Sequence, residues 1–259
     1  MTVVATAGHV DHGKSSLVLA LTGTDPDRFE EEKRRGLTID LGFAHTVLPS
    51  GAELSFIDVP GHVKFLRNML AGIGGVNACV FVVAATEGWK PQSEEHLRIL
   101  ELLGVRFGLV ALTKVDLVDE DLLELAKMDI ADHVEGTFLD GAPVVPVAAT
   151  AGKGIEEMRR EIDALIERSD GAADRARPRL WIDRVFAAKG SGTVVTGTLV
   201  GGALSADDTV HVAPSDQAAR IRSIQTAGAG VEQIGPGNRV ALNLGGVDHH
   251  ELSRGDAVV

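Results

Sequence analysis

Eight residues near the start of the chain, Gly8-His9-Val10-Asp11-His12-Gly13-Lys14-Ser15, fit the pattern G-x-x-x-x-G-K-[ST] without a gap. A short apolar run, Val3-Val4-Ala5, precedes them, and an apolar-periodic run from Leu17 to Leu21 follows. Strand, loop and helix in that order is the setting in which such a loop cradles phosphate. Its successive backbone N–H groups point inward at a helix N-terminus and form an anion nest. Gly8 and Gly13 let the backbone come close to phosphate because no Cβ intervenes. Lys14 supplies a point charge for β- and γ-phosphates, and the Ser15 hydroxyl suits Mg²⁺. Asp11, His12, Gly13, Lys14, Ser15 and Ser16 are therefore the candidates for the phosphate side of a nucleotide site.

The rest of the chain is organised to match. Apolar strand-like runs lie at Val3–Ala7, Ile39–Val47, Leu54–Val59, Cys79–Ala84, Gly108–Leu112 and Val144–Val147, with helical patterns between most of them. Over 154–168, Ile155, Met158, Ile162, Leu165 and Ile166 recur at helical spacing. Asp119 and Ser93 are the expected N-caps of two further helices. Strands alternating with helices predict an α/β domain with a doubly wound, mostly parallel sheet, and ligands at the carboxyl ends of its strands. Residues 22–38 interrupt the alternation with charge, including Asp25, Asp27, Glu30 and Arg35, and read as a lid over the nucleotide.

The composition changes near Asp170. The stretch from Asp170 to Pro178 has no periodicity and reads as a linker. Beyond it, short β-branched runs at Leu180–Phe186, Thr193–Leu199, Thr209–Val212, Ala219–Gln225 and Arg239–Leu244 predict a small antiparallel β-barrel. The expected domains are 1–170 and 178–259. No run of 18 apolar residues exists to span a membrane, and the N-terminus enters its strand with no basic stretch before it, unlike a signal peptide. The single cysteine, Cys79, sits in an apolar run and is expected to be a buried thiol in a reducing cytoplasm. A net charge of −12 argues against a broad nucleic-acid-binding face while leaving room for a local RNA contact.

Three further fragments select the nucleotide. Asp58-Val59-Pro60-Gly61-His62 follows the third strand-like run. A carboxylate there can hold Mg²⁺ or its water, and the Gly61 N–H can bond a γ-phosphate. Thr113-Lys114-Val115-Asp116 ends another strand-like run. Asp116 can accept two hydrogen bonds from guanine N1–H and N2–H₂, a donor pair adenine lacks, while the Lys114 stem covers the base. Ala148-Ala149-Thr150 can offer a backbone N–H to guanine O6. Each fragment alone could be an ordinary strand-end turn; their order and context make a guanine-nucleotide site.

Together with Thr38, these fragments resemble the translational GTPases of the elongation factor Tu class. Arg35-Gly36-Leu37-Thr38-Ile39-Asp40-Leu41-Gly42-Phe43-Ala44, Asp183-Arg184-Val185-Phe186 and Gly192-Thr193-Val194-Val195-Thr196-Gly197-Thr198-Leu199 resemble its selenocysteine-specific branch. The resemblance implies ribosome-stimulated GTP hydrolysis and delivery of selenocysteinyl-tRNA by a cytoplasmic monomer. It implies Ser15 and Thr38 as direct Mg²⁺ ligands, Asp58 behind them, and His62 orienting the attacking water. Val10 and Leu37 would gate that histidine, Asp11 would hold a monovalent cation, and His9 and His12 would pack the loop. Two positions depart from the family pattern: Thr113 lacks the amide of the usual Asn, and Ala148 lacks the hydroxyl of the usual Ser. The family continues with a third barrel and a region that binds an mRNA hairpin, so the chain reads as a truncated form holding the first two domains.

A selenol is more acidic than a hydroxyl, so a cationic pocket on the barrel would separate a selenocysteinyl from a seryl ester. Arg184 and Arg239 are the candidate cations, and Asp183 would orient one of them or hold the ester's amino group. Neighbours on a regular strand face opposite ways, so Asp183 and Arg184 share a pocket only if a bulge re-aims one. Other readings remain open on sequence grounds: a related tRNA carrier or initiation factor, a metabolic GTPase such as a sulfate-activation regulatory subunit, or a nucleotide-binding module that never turns over.

Overall fold

The computed structural model describes residues 2–27, 38–61, 68–70, 74–188 and 192–259. The chain separates into two compact units, whose main bodies are 4–69 with 76–169, and 170–259.

The first unit is built on a six-stranded sheet. Its strands are β1 (Thr2–Ala7), β2 (Gly42–Val47), β3 (Glu53–Asp58), β4 (Ala78–Ala84), β5 (Phe107–Thr113) and β6 (Val144–Pro146), in the order β2-β3-β1-β4-β5-β6. β1, β4, β5 and β6 run parallel, while β2 is antiparallel to β3 at the edge. Every residue of β4 is buried, Cys79 included. A strand covered on both faces needs such a continuous apolar run. Burial also pushes the Cys79 thiol well above its ordinary pKa, so it stays protonated.

Four helices complete the described layers: α1 (Lys14–Thr22), α2 (Pro91–Leu102), α3 (Glu120–Val134) and α4 (Ile155–Arg168). α4 buries Ile155, Met158, Ile162 and Leu165 against the sheet, as their spacing predicts. Asp119 caps α3 by accepting the Leu122 N–H at 2.9 Å. Ser93 is not a cap. α2 begins three residues earlier than that cap would set, with Lys90 as N-cap and Pro91 first in the helix, where its fixed φ is already helical and its missing N–H costs nothing. The strand expected from Ile39 starts only at Gly42, because Thr38 is drawn into the polar site described below.

The second unit is a closed barrel. β7 (Arg179–Ala188), β8 (Gly192–Val200), β10 (Thr209–Ala213), β11 (Gln217–Thr226), β14 (Arg239–Gly245) and β15 (Ala257–Val258) form the ring β10-β15-β7-β8-β14-β11, and β11 pairs back to β10. All six pairings are antiparallel. Short strands β9 (Leu204–Ser205), β12 (Ala229–Val231) and β13 (Gln233–Ile234) lie outside the ring. Alternate residues point inward, among them Leu180, Ile182, Val195, Val210, Ile221, Leu242 and Leu244. The two-residue β15, invisible as a pattern in the sequence, closes the circle. The β7–β8 register shifts between Ile182 and Arg184, which places a bulge at Asp183. Among the described residues no helix is long and apolar enough to cross a membrane.

Candidate functional site

The phosphate loop is held in shape by left-handed and close-packed backbone. Gly8 has φ +129°, and a Cβ there would lie 2.1 Å from the Val82 carbonyl oxygen. Gly13, at φ +88°, turns the chain into α1, so Lys14 is the first helical residue. The Lys14 side chain folds back over the loop and donates to Gly8 O at 3.0 Å and His9 O at 2.7 Å. Burial lowers its pKa to about 8, while the Asp58, Asp11 and Asp27 carboxylates pull it back up. Gly61 is also close-packed: a Cβ there would stand 2.6 Å from Lys14 Nζ and 2.7 Å from Val10 N.

α2 braces the loop from behind. The Gly8 N–H donates to His96 Nδ1 at 3.1 Å, and the Val10 N–H donates to Gln92 Oε1 at 3.3 Å. Four residues apart, the two side chains share one helix face. Burial lowers the His96 pKa to about 3, so the ring is neutral and its Nδ1 is free to accept. Sequence reasoning missed both residues. The only signal was a His and a Gln at helical spacing just after Pro91.

The expected Mg²⁺ side is a knot of oxygens. Ser15 Oγ donates to Asp58 Oδ2 at 2.7 Å and lies 2.8 Å from Thr38 Oγ1. Thr38 Oγ1 donates to Asp27 Oδ1 at 3.0 Å. Thr6 Oγ1 donates to the other Asp58 oxygen at 2.6 Å and accepts the Val59 N–H at 3.2 Å. Burial pushes the Asp58 carboxyl up to about 6, against the Thr6 and Ser15 hydrogen bonds and the charge of Lys14. Hydroxyl and carboxylate oxygens are the donors a hard divalent ion selects, so the residues fit Mg²⁺. Asp27 belongs to this knot, although in the sequence it was only one charge of a polar segment.

The expected base side lies at the ends of β5 and β6. Thr113 Oγ1 donates to His12 O at 2.6 Å, tying this loop to the phosphate loop. Lys114 takes a left-handed φ of +57°, with its Nζ 3.6 Å from Glu87. Asp116 sits in the short 3₁₀ turn Val115–Leu117, and Ala149 and Thr150 in the turn Ala149–Ala151. The Val115 N–H reaches Val147 O at 3.4 Å, and the Ala148 N–H is taken by Lys153 O at 3.0 Å, so the two loops lie side by side. Asp11 is in the phosphate loop at φ +60°, and Ser16 in the first turn of α1. His62, Leu37 and residues 28–37 of the expected lid lie outside the described residues.

On the barrel, Asp183 is 1% exposed and paired with Arg239 through both carboxylate oxygens. Thr196 Oγ1 donates to Asp183 Oδ1 at 2.6 Å, and Arg254 Nε donates to the Asp183 carbonyl at 2.7 Å. Arg184 follows the bulge, opposite Thr196 on β8.

Fold and site together define a phosphate-loop GTPase domain followed by a translation-factor barrel. The model of the elongation factor Tu GTP binding domain matches residues 1–168, that of elongation factor Tu domain 2 matches residues 192–259, and the chain belongs to the elongation factor Tu family. Within it, the chain is 47% identical over 258 residues to the selenocysteine-specific elongation factor of Desulfomicrobium baculatum, covering 99% of this chain and 40% of that protein. The crystal structure of a bacterial selenocysteine-specific elongation factor superposes with a TM-score of 0.94 at 39% identity, over 100% of this chain and 44% of that one. That of the Methanococcus maripaludis factor with the GTP analogue GppNHp gives 0.88 at 28% identity, over 99% and 54%. The chain thus spans about two fifths of the length of the curated relative it matches.

Proposed function

We propose that this chain is the GTP-binding and first-barrel portion of a cytoplasmic, monomeric factor that delivers selenocysteinyl-tRNA to the ribosome and hydrolyses GTP when the ribosome stimulates it. The nucleotide domain is taken as 1–170 and the barrel domain as 178–259. The observation that carries the reading is the meeting of Ser15, Thr38 and Asp58 beside Lys14 and Gly61 at the mouth of one phosphate loop. Lys14 and the amides of residues 11–16 bind the phosphates, Gly61 bonds the γ-phosphate, and Asp116 with Lys114 reads guanine. Ala148, Ala149 and Thr150 close over the base, with Thr113 fastening that loop to the phosphate loop. Ser15 and Thr38, with Asp58 behind them, would hold Mg²⁺, which would supply positive charge against the phosphates. Thr38 would ligate the ion only in the closed form of its segment, and would so report whether a γ-phosphate is present. His62 orients the attacking water, and Asp11 holds a monovalent cation. Binding of an mRNA hairpin belongs to parts of the protein outside this chain.

Discrimination of the esterified amino acid is assigned to the barrel. The bulge at Asp183 supports it, since it lets neighbouring residues of β7 turn toward one place. Asp183 fixes the Arg239 guanidinium, and Arg184 supplies the second cation for a selenolate. Each charge-assisted contact contributes ~1.5–3 kcal/mol. The test is the whole protein carrying Arg184→Ala and Arg239→Lys, assayed for selenocysteinyl- against seryl-tRNA. Lysine keeps a cation for Asp183 but loses the bidentate fork. The affinity ratio is expected to fall at least ten-fold, about 1.4 kcal/mol. A ratio at the wild-type value rejects the pocket.

A further inference from the structure

At the phosphate loop itself, two imidazoles and a carboxylate converge. His9, His12 and Glu87 each offer one ligand atom, and the three atoms lie within 4.8 Å of one another. The two rings meet edge to face, with centroids 4.9 Å apart. His9 Nδ1 and His12 Nε2 are both buried and have no hydrogen-bond partner among the described residues. A buried imidazole nitrogen without a partner has lost its water and gained nothing in exchange. Two such atoms on adjacent rings, with a Glu87 oxygen within 4.8 Å of one nitrogen of each ring, are an arrangement that a metal ion satisfies.

The second nitrogen of His12 completes the argument. His12 is fully buried, and its Nδ1 lies 3.4 Å from Val82 O. The hydrogen bond to that carbonyl fixes the proton on Nδ1 and leaves Nε2 with its lone pair. Metal-bound histidines are usually held in this way, with the far N–H donated to a carbonyl.

We infer that His9, His12 and Glu87 form a second cation site, for a borderline transition-metal ion of the Zn²⁺ or Co²⁺ class, distinct from the Mg²⁺ position at Ser15 and Thr38. Imidazole nitrogens select such an ion over Mg²⁺, which takes oxygen donors. Tetrahedral ligands at a Zn–N distance of about 2.0 Å stand about 3.3 Å apart, so the cluster needs only a small contraction. Three protein ligands leave one position for water. Among the described residues, the ion pairs of the exposed Glu87 are long, 3.8 Å to Lys90 and 3.6 Å to Lys114, and hold its carboxylate weakly. An ion there would link the phosphate loop to the segment between β4 and α2 and release Lys114 from Glu87.

The test uses the purified chain freed of nucleotide and Mg²⁺, titrated with Co²⁺ and then with Zn²⁺ as competitor. One Co²⁺ per chain is expected, with the visible ligand-field intensity of a four- or five-coordinate site, displaced by Zn²⁺ but not by Mg²⁺. Glu87→Gln and His9→Gln, neither at a fully buried position, should each weaken Zn²⁺ by about ten-fold or more. A second cluster at Asp248, His249 and His250 is the internal control. Changing both His249 and His250 to Ala should leave the affinity unaltered. Absence of stoichiometric Co²⁺, undiminished affinity in Glu87→Gln and His9→Gln, or loss confined to the 249/250 variant overturns the site.

Discussion

Asp58 offers the sharpest quantitative test, because its carboxyl is fully buried beside the Ser15 and Thr6 hydroxyls. Its pKa stands at about 6 instead of the ordinary 3.8, a preference for the proton of about 3 kcal/mol. A folded-state pKa above the unfolded value means that the folded chain holds the proton longer. Asp58 therefore contributes most below pH 3.8, and that contribution is lost as pH rises through 6. His12 and His96 oppose it. Each falls from 6.5 to about 3, so their contribution is complete above pH 6.5 and is lost as pH drops toward 3. A bare pH profile mixes the two trends, but the difference between wild type and Asp58→Asn isolates the carboxyl. The Asn amide has nearly the same shape, carries no charge, and can be met by hydroxyls that rotate to accept. In urea unfolding without nucleotide or Mg²⁺, wild type should lose about 2.4 kcal/mol relative to Asp58→Asn between pH 4 and pH 7.5, because the unfolded carboxyl is already largely ionised at pH 4. That is a relative midpoint change of about 1 M or more. Mg²⁺ with GTP should reverse the order at pH 7.5, since the ion favours the carboxylate. A pH-independent difference between the two proteins would refute the desolvation argument.

Thr113→Val keeps the shape of the side chain but strands the His12 carbonyl, and should cost ~1–3 kcal/mol of stability in the same assay; a change below about 0.5 kcal/mol would show that the bond carries nothing. Gly61→Ala puts a Cβ within 2.6 Å of Lys14 Nζ and 2.7 Å of Val10 N, so a fluorescent GTP analogue should bind at least ten-fold more weakly, about 1.4 kcal/mol. Wild-type affinity there would mean that the loop moves aside freely. Asp116→Asn should lose ~1.5–3 kcal/mol of GTP binding and gain xanthosine triphosphate, read by competition titration; equal GTP affinity removes Asp116 from base selection.

What the sequence determined by itself was local. Gly8–Ser15 is readable because a phosphate nest is made by consecutive backbone groups, so residue type and spacing fix it. The all-apolar run of β4 and the helical spacing of α4 are likewise short-range consequences of burial. What only the tertiary structure decided were the meetings between distant segments. His96 and Gln92 brace a loop more than eighty residues earlier in the chain. Thr113, which reads as a missing amide, spends its hydroxyl on the same loop across 101 residues. Asp27 looks like one solvated charge among several until Thr38 comes to lie 3.0 Å away. The barrel shows the same division: alternating β-branched residues announce its strands, but the bulge at Asp183 and the two-residue β15 that closes the ring have no pattern of their own. Periodicity encodes which side of an element faces the core. It carries no information about which polar group will sit opposite, because that depends on how the elements stack.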